Sequence, residues 1–478
     1  MDTPPLAAPR RGRTLTIWTP EDKAFWAQEG EAIAKLNLWI SVPALFLAFA
    51  VWQVWSVVAV SLPGLGFAYS TNQLFWLAAA PALSGATLRI FYSFMVPLVG
   101  GRRWTAISTA TLLIPAIGIG IAVQDPSTPY PTMLVLALLC GLGGGNFSSS
   151  MANISYFFPK DRKGSALGVN AGLGNLGVSV VQFLSPIVVT VGVLGVFGGE
   201  PQTIVKAGQS TQVWMQNAAF IWVPWIALVS VVAWFAMNDV ADAKASVAAQ
   251  AAIFVQPHNW IMCLLYLGTF GSFIGFAAGF PLLIKSQFPA VNPLAYAWLG
   301  PLVGAVVRPF GGWLSDKVGG GVVTMWNFLV MALAVLGVLY FLPKGAGALA
   351  LPFGPAAGSF TGFFLMFLLL FVTTGIGNGS TFRMIPVIFN QLALRGAAKD
   401  DAAQAAALKE GNVRGAAAVG FAGAFGAYGG FFIPKSYGSS IAATGGPEAA
   451  LWIFCAFYLA CVAIAWWCYA RRDAAMPC

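Results

Sequence analysis

The chain has 478 residues, of which 58% are hydrophobic and only 9% charged, with a formal net charge of +9 and a mean hydropathy of +0.77. Soluble proteins carry about 25% charged residues, so a water-soluble globule is excluded and an integral membrane protein remains. One His and six Cys without CxxC spacing supply no ligand set for haem or zinc, so no cofactor and no metal are expected.

Residues 1–35 are polar, and no cleavable signal peptide precedes the first apolar run, which starts near Leu36 and is too long for an h-region. Thr19-Pro20-Glu21-Asp22 reads as an N-cap, a Pro at the first helical position and an acidic first turn. It predicts a short surface helix leading into the first span. Mostly apolar runs of spanning length, about 20 residues, follow at 36–62, 73–98, 104–122, 131–157, 165–193 and 216–237. A second set lies at 258–284, 293–314, 322–342, 359–390, 413–434 and 449–470. The expected organisation is a cytoplasmic N-terminal segment (1–35), a six-helix bundle (36–237), a cytoplasmic linker (238–257), a second six-helix bundle (258–470) and a cytoplasmic tail (471–478).

Twelve spans put both termini on one side. Most of the 25 Lys and Arg fall in the termini and the loops on that side, among them Arg102, Arg103, Lys160, Arg162, Lys163, Lys244, Lys317, Arg395, Lys399, Lys409, Arg414, Arg471 and Arg472. The opposite loops hold Lys206, Lys285, Lys344 and Lys435. Both termini are therefore expected in the cytoplasm. The positive charge belongs to these loops, so no nucleic-acid partner is implied.

The chain repeats itself. Leu83, Gly85, Ala86, Arg89, Phe91, Val99, Gly100, Gly101 and Thr105 recur at a constant offset as Leu302, Gly304, Ala305, Arg308, Phe310, Val318, Gly319, Gly320 and Thr324. Gly141-Leu-Gly-Gly-Gly145 aligns with Gly375-Ile-Gly-Asn-Gly379, and Gly168, Gly174 and Gly177 align with Gly420, Gly426 and Gly429. The order is collinear, giving two pseudo-symmetric six-helix halves. That pattern resembles the major facilitator superfamily, an all-α membrane fold of 12 transmembrane helices with a midplane site between its halves. Gly312-Trp-Leu-Ser-Asp316-Lys317-Val-Gly319 resembles the loop motif of that superfamily, whereas its counterpart Pro97-Leu-Val-Gly-Gly-Arg102-Arg103 lacks the acidic position.

All 16 acidic residues can be placed outside span cores; Glu448 falls in an outer loop, and the one His, His258, at the mouth of span 7. Proton-coupled transporters generally need a titratable group in the pathway, so proton symport is disfavoured. Arg89 and Arg308 lie midway along spans 2 and 8 at matching repeat positions. Two buried guanidiniums without a carboxylate call for an anion from solution. The bland alternative is pairing with backbone carbonyls. Arg383, near the cytoplasmic end of span 10, snorkels or stays unassigned.

Tyr266, Phe270 and Phe273 recur at i, i+4 and i+7, which places them on one helix face, and Phe147 follows the glycine run of span 4. Such stripes commonly pack or face lipid; beside an arginine pair they could clamp a flat anion. Gly164, Gly168 and Gly172 repeat at i, i+4, as small residues do where helices approach closely, and Gly423, Gly426 and Gly430 form a similar face in span 11. Asn175, beyond Gly172, is either a ligand or an interhelical hydrogen-bonding group.

Arg89-Ile-Phe-Tyr-Ser, the glycine-rich run from Gly164 to Gly177 and the run from Gly420 to Pro434 resemble the nitrate/nitrite porter family, the last two matching its glycine-rich signature segments. The resemblance extends from about Trp18 to Tyr469 and is strongest to NarK-type bacterial nitrate/nitrite antiporters. It implies an exchanger rather than an enzyme, active in the bacterial inner membrane in nitrate assimilation and functional as a monomer. It implies that Arg89 and Arg308 clasp the anion, that Tyr266 and Asn175 donate hydrogen bonds, and that Phe147 and Phe270 sandwich the planar ion. Gly164, Gly168, Gly172, Gly174, Gly177, Gly420, Gly423, Gly426 and Gly430 form the conformational segments. Arg383 departs from the family pattern, which has an uncharged residue there. Other readings are a proton-coupled nitrate symporter, an organophosphate/phosphate antiporter (which would recruit Lys or His in its spans) and a nitrate sensor, which would need an added soluble domain.

Overall fold

Apolar runs surrounded by lipid must satisfy their backbone groups internally, and a helix does so within each segment. The computed structural model describes residues 13–206, 209–241, 252–344, 349, 351, 353–474 and 476–478; residues 1–12 and the 242–251 part of the linker, with Asp242 and Lys244, lie outside the described residues. Its long helices are α1 (Lys23–Leu65), α2 (Thr71–Tyr92), α3 (Gly101–Ala122), α4 (Tyr130–Phe157), α5 (Lys160–Val188) and α6 (Asn217–Ala236). They continue with α7 (Pro257–Gln287), α8 (Leu299–Val318), α9 (Gly320–Phe341), α10 (Phe360–Arg395), α11 (Asp401–Thr444) and α12 (Glu448–Ala470). Eleven of them are long and apolar enough to cross a membrane. The other, α8, is less apolar because it carries Arg308, Asp316 and Lys317.

Packing runs in matching pairs. α1 lies on α5, α2 on α4 and α3 on α6, while α7 lies on α11, α8 on α10 and α9 on α12. Contacts of α2 with α11, α5 with α8 and α1 with α7 join the two sets. Glycines at repeat-related positions make the tightest crossings: a Cβ on Gly141 would sit 2.5 Å from the Gly85 nitrogen, and one on Gly375 2.3 Å from the Gly304 oxygen. Only hydrogen at these positions lets the backbones meet.

Three expectations are corrected. The N-cap is Asp22, not Thr19: its Oδ1 accepts from the nitrogens of Ala24 and Phe25, and the helix runs on from Lys23 into the first span. α11 begins at Asp401 rather than 413, because Asp400 caps it by accepting from the Ala403 nitrogen and an alanine-rich stretch with a Glu410–Arg414 pair favours helix. A reading by apolarity passes over such a polar extension. α11 also continues beyond Pro434 to Thr444 after a turn at Tyr428, so Lys435 is helical and not in a loop.

Two small strand pairs supplement the helices. β1 (Thr14–Leu15) pairs in parallel with β4 (Asp239–Val240), and β2 (Gln202–Lys206) pairs antiparallel with β3 (Gln209–Val213). The first pair ties the N-terminal segment to the end of α6 and delivers Asp239 to the α2–α3 loop. There Asp239 accepts from the Arg102 backbone nitrogen at 2.8 Å and from its Nε at 3.2 Å. Arg102 also donates to the Trp234 carbonyl at 2.7 Å. The acid missing from the Pro97–Arg103 motif is thus supplied from the end of α6. Gly100, at φ +96°, lies directly against the Asp239 carboxylate, 2.5 Å from where its Cβ would sit, a place for glycine alone. Removing one member of a buried pair strands its partner and costs about 3–5 kcal/mol. Asp239→Ala should therefore lower the thermal unfolding midpoint of the detergent-purified protein by several degrees, with Asp239→Asn in between; an unchanged midpoint for both would refute this role.

Candidate functional site

Close approach of α1, α2 and α4 builds the first half of the site. Gly85 has no room for a side chain: its Cβ would lie 2.7 Å from Trp52 Nε1 and 3.1 Å from the Gly144 Cα. Trp52 is fixed by donating from Nε1 to the Pro81 carbonyl at 2.8 Å. One turn along α2, Arg89 is 1% exposed. Its Nε donates to the Gly144 carbonyl on α4 at 2.8 Å and its Nη1 to the Gly423 carbonyl on α11 at 2.7 Å. The guanidinium carbon lies 4.7 Å from the centroid of Phe147, and 5.1 Å from those of Phe270 and Trp52. Its Nη2 is buried without a partner.

Arg308 on α8 shares only the glycine crossing, a Cβ on Gly379 of α10 lying 2.1 Å from the Arg308 carbonyl. It is buried, lies 5.3 Å from the Phe382 ring, and keeps Nη1 without a partner. The Tyr266 hydroxyl is buried and unpartnered within electrostatic reach of both arginines. The Tyr266 and Phe270 rings stack at 5.4 Å, and Phe147 and Phe270 face each other at 6.3 Å with planes 25° apart. Arg89, Phe147, Phe270, Tyr266 and Arg308 therefore share one chamber. Asn175 on α5 is buried, with Oδ1 unpartnered.

Several neighbouring residues stand elsewhere than expected. A π-helical turn at Leu267–Gly271 shifts the register of α7, so Phe273 leaves the Tyr266–Phe270 face and packs edge-on against Phe371. Arg383 does not snorkel alone: its Nε pairs with Asp316 of the α8 loop motif at 2.5 Å. Glu448 is buried and not in an outer loop. It is the first residue of α12, where the helix dipole favours a carboxylate, and neither oxygen has a partner among the described residues. His258 lies at the start of α7, its Nδ1 3.1 Å from the Tyr469 hydroxyl.

The glycines divide into two kinds. A Cβ on Gly174 would meet Leu45, on Gly177 the Phe46 carbonyl, on Gly426 Tyr266 and on Gly430 Ala82, all within 2.8 Å. Among the described residues, a Cβ on Gly164, Gly168, Gly172 or Gly420 would meet nothing within 4 Å, so no described helix makes the close contact expected of that face of α5. Gly423 borders the chamber, its Cβ position 3.7 Å from Phe147 and 4.0 Å from Arg89 Nη1.

Residue-type reasoning missed Trp52 and Phe382, the extra rings on the two arginines, and the carbonyls of Gly144 and Gly423. Phe382 could have been noticed beside Arg383, one of the three intramembrane arginines. A carbonyl acceptor leaves no mark in side-chain identity.

Residues 44–408 match the Major Facilitator Superfamily profile. The nitrate/nitrite transporters NarU of Salmonella typhimurium and Escherichia coli K12 are 51% and 50% identical over 460 residues, 96% of this chain and 96% of each relative. The probable nitrate/nitrite antiporter NarK2 of Thermus thermophilus is 40% identical over 474 residues, 98% of this chain and 99% of the relative. A solved bacterial homologue of the human lysosomal transporter Spinster, inward-facing and occupied, superposes with a TM-score of 0.55 at 14% identity, covering 90% of this chain and 93% of that one. The chain belongs to the major facilitator superfamily and, within it, to the nitrate/nitrite porter family, and is a transporter and not an enzyme.

The glycine geometry sets an order of tolerance. Gly168→Ala and Gly423→Ala should leave the folded yield and unfolding midpoint near wild type, whereas Gly426→Ala, forced against the Tyr266 ring, should lower both. Fluorescence-detected size-exclusion chromatography of the three variants checks this, and equal behaviour would contradict it.

Proposed function

We propose that this chain exchanges nitrate for nitrite across the bacterial inner membrane by alternating access, the anion being held between Arg89 and Arg308. The observation that carries the reading is a set of three buried hydrogen-bond donors that make no well-formed hydrogen bond among the described residues, Arg89 Nη2, Arg308 Nη1 and the neighbouring Tyr266 hydroxyl. No salt bridge among the described residues includes either arginine. A charge at the bilayer centre costs at least about 2.5–3.5 kcal/mol, and these two also repel each other. An anion accepting from all three donors offsets both costs.

The rings suit a flat ion. The three distances among Arg89, Phe147 and Phe270 put the midpoint between the rings about 3.8 Å from the guanidinium carbon, the spacing of a guanidinium facing a planar oxyanion. Ring contacts of about 3.5 Å on either side would need about 7 Å between centroids, so rings at 6.3 Å part by less than 1 Å to admit it. Asn175, buried on α5, is assigned to the same ion as a further hydrogen-bond donor. A tetrahedral phosphate fits such a slot poorly.

Exchange follows from the same charges. Two unneutralised guanidiniums resist being sealed into a dry chamber, and a bound anion permits the two halves, 36–237 and 258–470, to rock past each other. The repeat-related packing pairs support treating them as two bodies. Gly164, Gly168, Gly172 and Gly420 border open space among the described residues at the end that bears the basic loops, and the cytoplasmic mouth of the path is assigned to that end, with both termini in the cytoplasm.

Counterflow in proteoliposomes should require nitrate or nitrite on both sides and be poorly supported by chloride or phosphate. Net uptake into anion-free vesicles driven by an imposed pH gradient would instead establish proton-coupled symport and overturn exchange. Arg89→Lys should weaken nitrate binding about 10- to 100-fold, because an ammonium cannot donate in the planar fork that holds two carbonyls and the ion together. Isothermal titration with nitrate reads this, and near-normal affinity would refute direct ligation.

A further inference from the structure

On the side of the chamber away from the open glycines, α2 and α11 are closed against each other along a seam. At its inner end the Thr87 and Tyr428 hydroxyls are 2.8 Å apart. Outward follow Ala82 against Gly430, the Trp76 and Phe431 rings at 5.5 Å, and the Phe75 and Tyr437 rings at 6.2 Å. A Cβ on Gly438 would sit 2.7 Å from that of Phe75. At the outer end stands a cation, Lys435. Its Nζ donates to Asn72 Oδ1 on α2 at 3.4 Å and to Ser439 on its own helix, and it lies 5.1 Å from the Trp76 ring. Asn72 is 17 residues before Arg89 on α2, a rise of about 25 Å, so Lys435 is outside the chamber.

We infer that Lys435 is a positioning residue with two alternating tasks: latching α2 to α11 on the outer side, and drawing a small oxyanion inward once that seam opens. This rests on the transport reading above. Two of its three partners, Asn72 and Trp76, belong to α2, and neither is charged. No ion pair among the described residues includes Lys435. Parting of α2 from α11 therefore removes the acceptor and the ring together, leaving a half-buried ammonium with only Ser439. A neutral latch gives way at modest cost, since a 3.4 Å hydrogen bond and a half-exposed cation–π contact are both weak. A carboxylate partner would hold the seam more tightly and would cancel the charge that attracts the anion. Low-dielectric walls around a newly opened vestibule focus the field of one uncompensated cation and raise the local concentration of anions.

Two experiments on the full chain in right-side-out proteoliposomes test this. Lys435→Gln should raise the KM for external nitrate about 3- to 10-fold and flatten its dependence on ionic strength, while calorimetric nitrate binding to the detergent-purified protein stays at wild-type affinity. Lys435→Arg should restore both external properties. An external KM with unchanged salt dependence in Lys435→Gln, or no rescue by Lys435→Arg, overturns the recruiting task. Independently of any substrate, cysteines introduced at Asn72 and Ser439, whose side-chain oxygens both meet Lys435 Nζ, should be joined across the seam through disulfides to a short bifunctional methanethiosulfonate. That crosslink, seen by mass spectrometry, should stop exchange until reduced; its failure to form in the membrane, or its formation without effect on exchange, overturns the latch. Absence of nitrate exchange in wild-type vesicles, with the crosslink still forming in the double-cysteine variant, would count against the transport reading and leave the closed seam standing.

Discussion

A guanidinium buried at the middle of a membrane helix must find acceptors for its N–H groups, and much of the architecture around α2 serves that demand. Arg89 meets it with two backbone carbonyls, Gly144 on α4 and Gly423 on α11, and three aromatic faces. Carbonyls already engaged in helices are reached only where helices run very close, hence the glycines at 85 and 144. Any β-carbon at Gly85 would strike Trp52, displacing a ring that braces the arginine. The two carbonyls occupy Nε and Nη1 and leave Nη2 pointing to where an anion is proposed to bind. The pairing with backbone carbonyls, which stood as the alternative to anion binding, is what Arg89 shows; on the proposed reading the same pairing aims the remaining donor.

The second arginine is held differently. Arg308 has one ring, Phe382, and its carbonyl lies against Gly379. Repeat symmetry thus preserves the position of the charge and the glycine crossing beneath it but not the cage. Phe147 and Phe270, which face one another beside Arg89, come from α4 and α7, one from each expected half. On the proposed reading, a fixed arm and a freer arm meet across a slot whose walls belong to opposite bodies, so the ion would touch both bodies whenever the chamber closes.

Much of the fold was legible because lipid imposes so simple a rule. Runs of apolar residues marked the helices within about six positions apart from α1 and α11, and the collinear match of Gly85 and Arg89 with Gly304 and Arg308 marked both the repeat and the two charges. What escaped notice shares a cause. The polar beginning of α11 is helical through capping and alanine content, which apolarity does not register. The π-turn in α7 removes Phe273 from its expected neighbours by one residue of register. Asp239 restores an acid to a loop far away in sequence, and Trp52 reaches Arg89 from a helix with no charge to draw attention.

The sequence by itself determined that the chain lives in a membrane, where most of its helices lie, that its first and second parts resemble each other residue by residue, and the sign of the ion its two arginines would attract. These depend on the cost of placing each residue type in hydrocarbon, a property each residue carries with it. The partners of those arginines were decided by tertiary structure alone: which carbonyls accept, which rings stack, which donors remain free among the described residues, and which glycines border open space while the α2–α11 seam is shut. Such features depend on distances of a few ångströms between helices remote in sequence. Packing sets those distances, and no local preference encodes them.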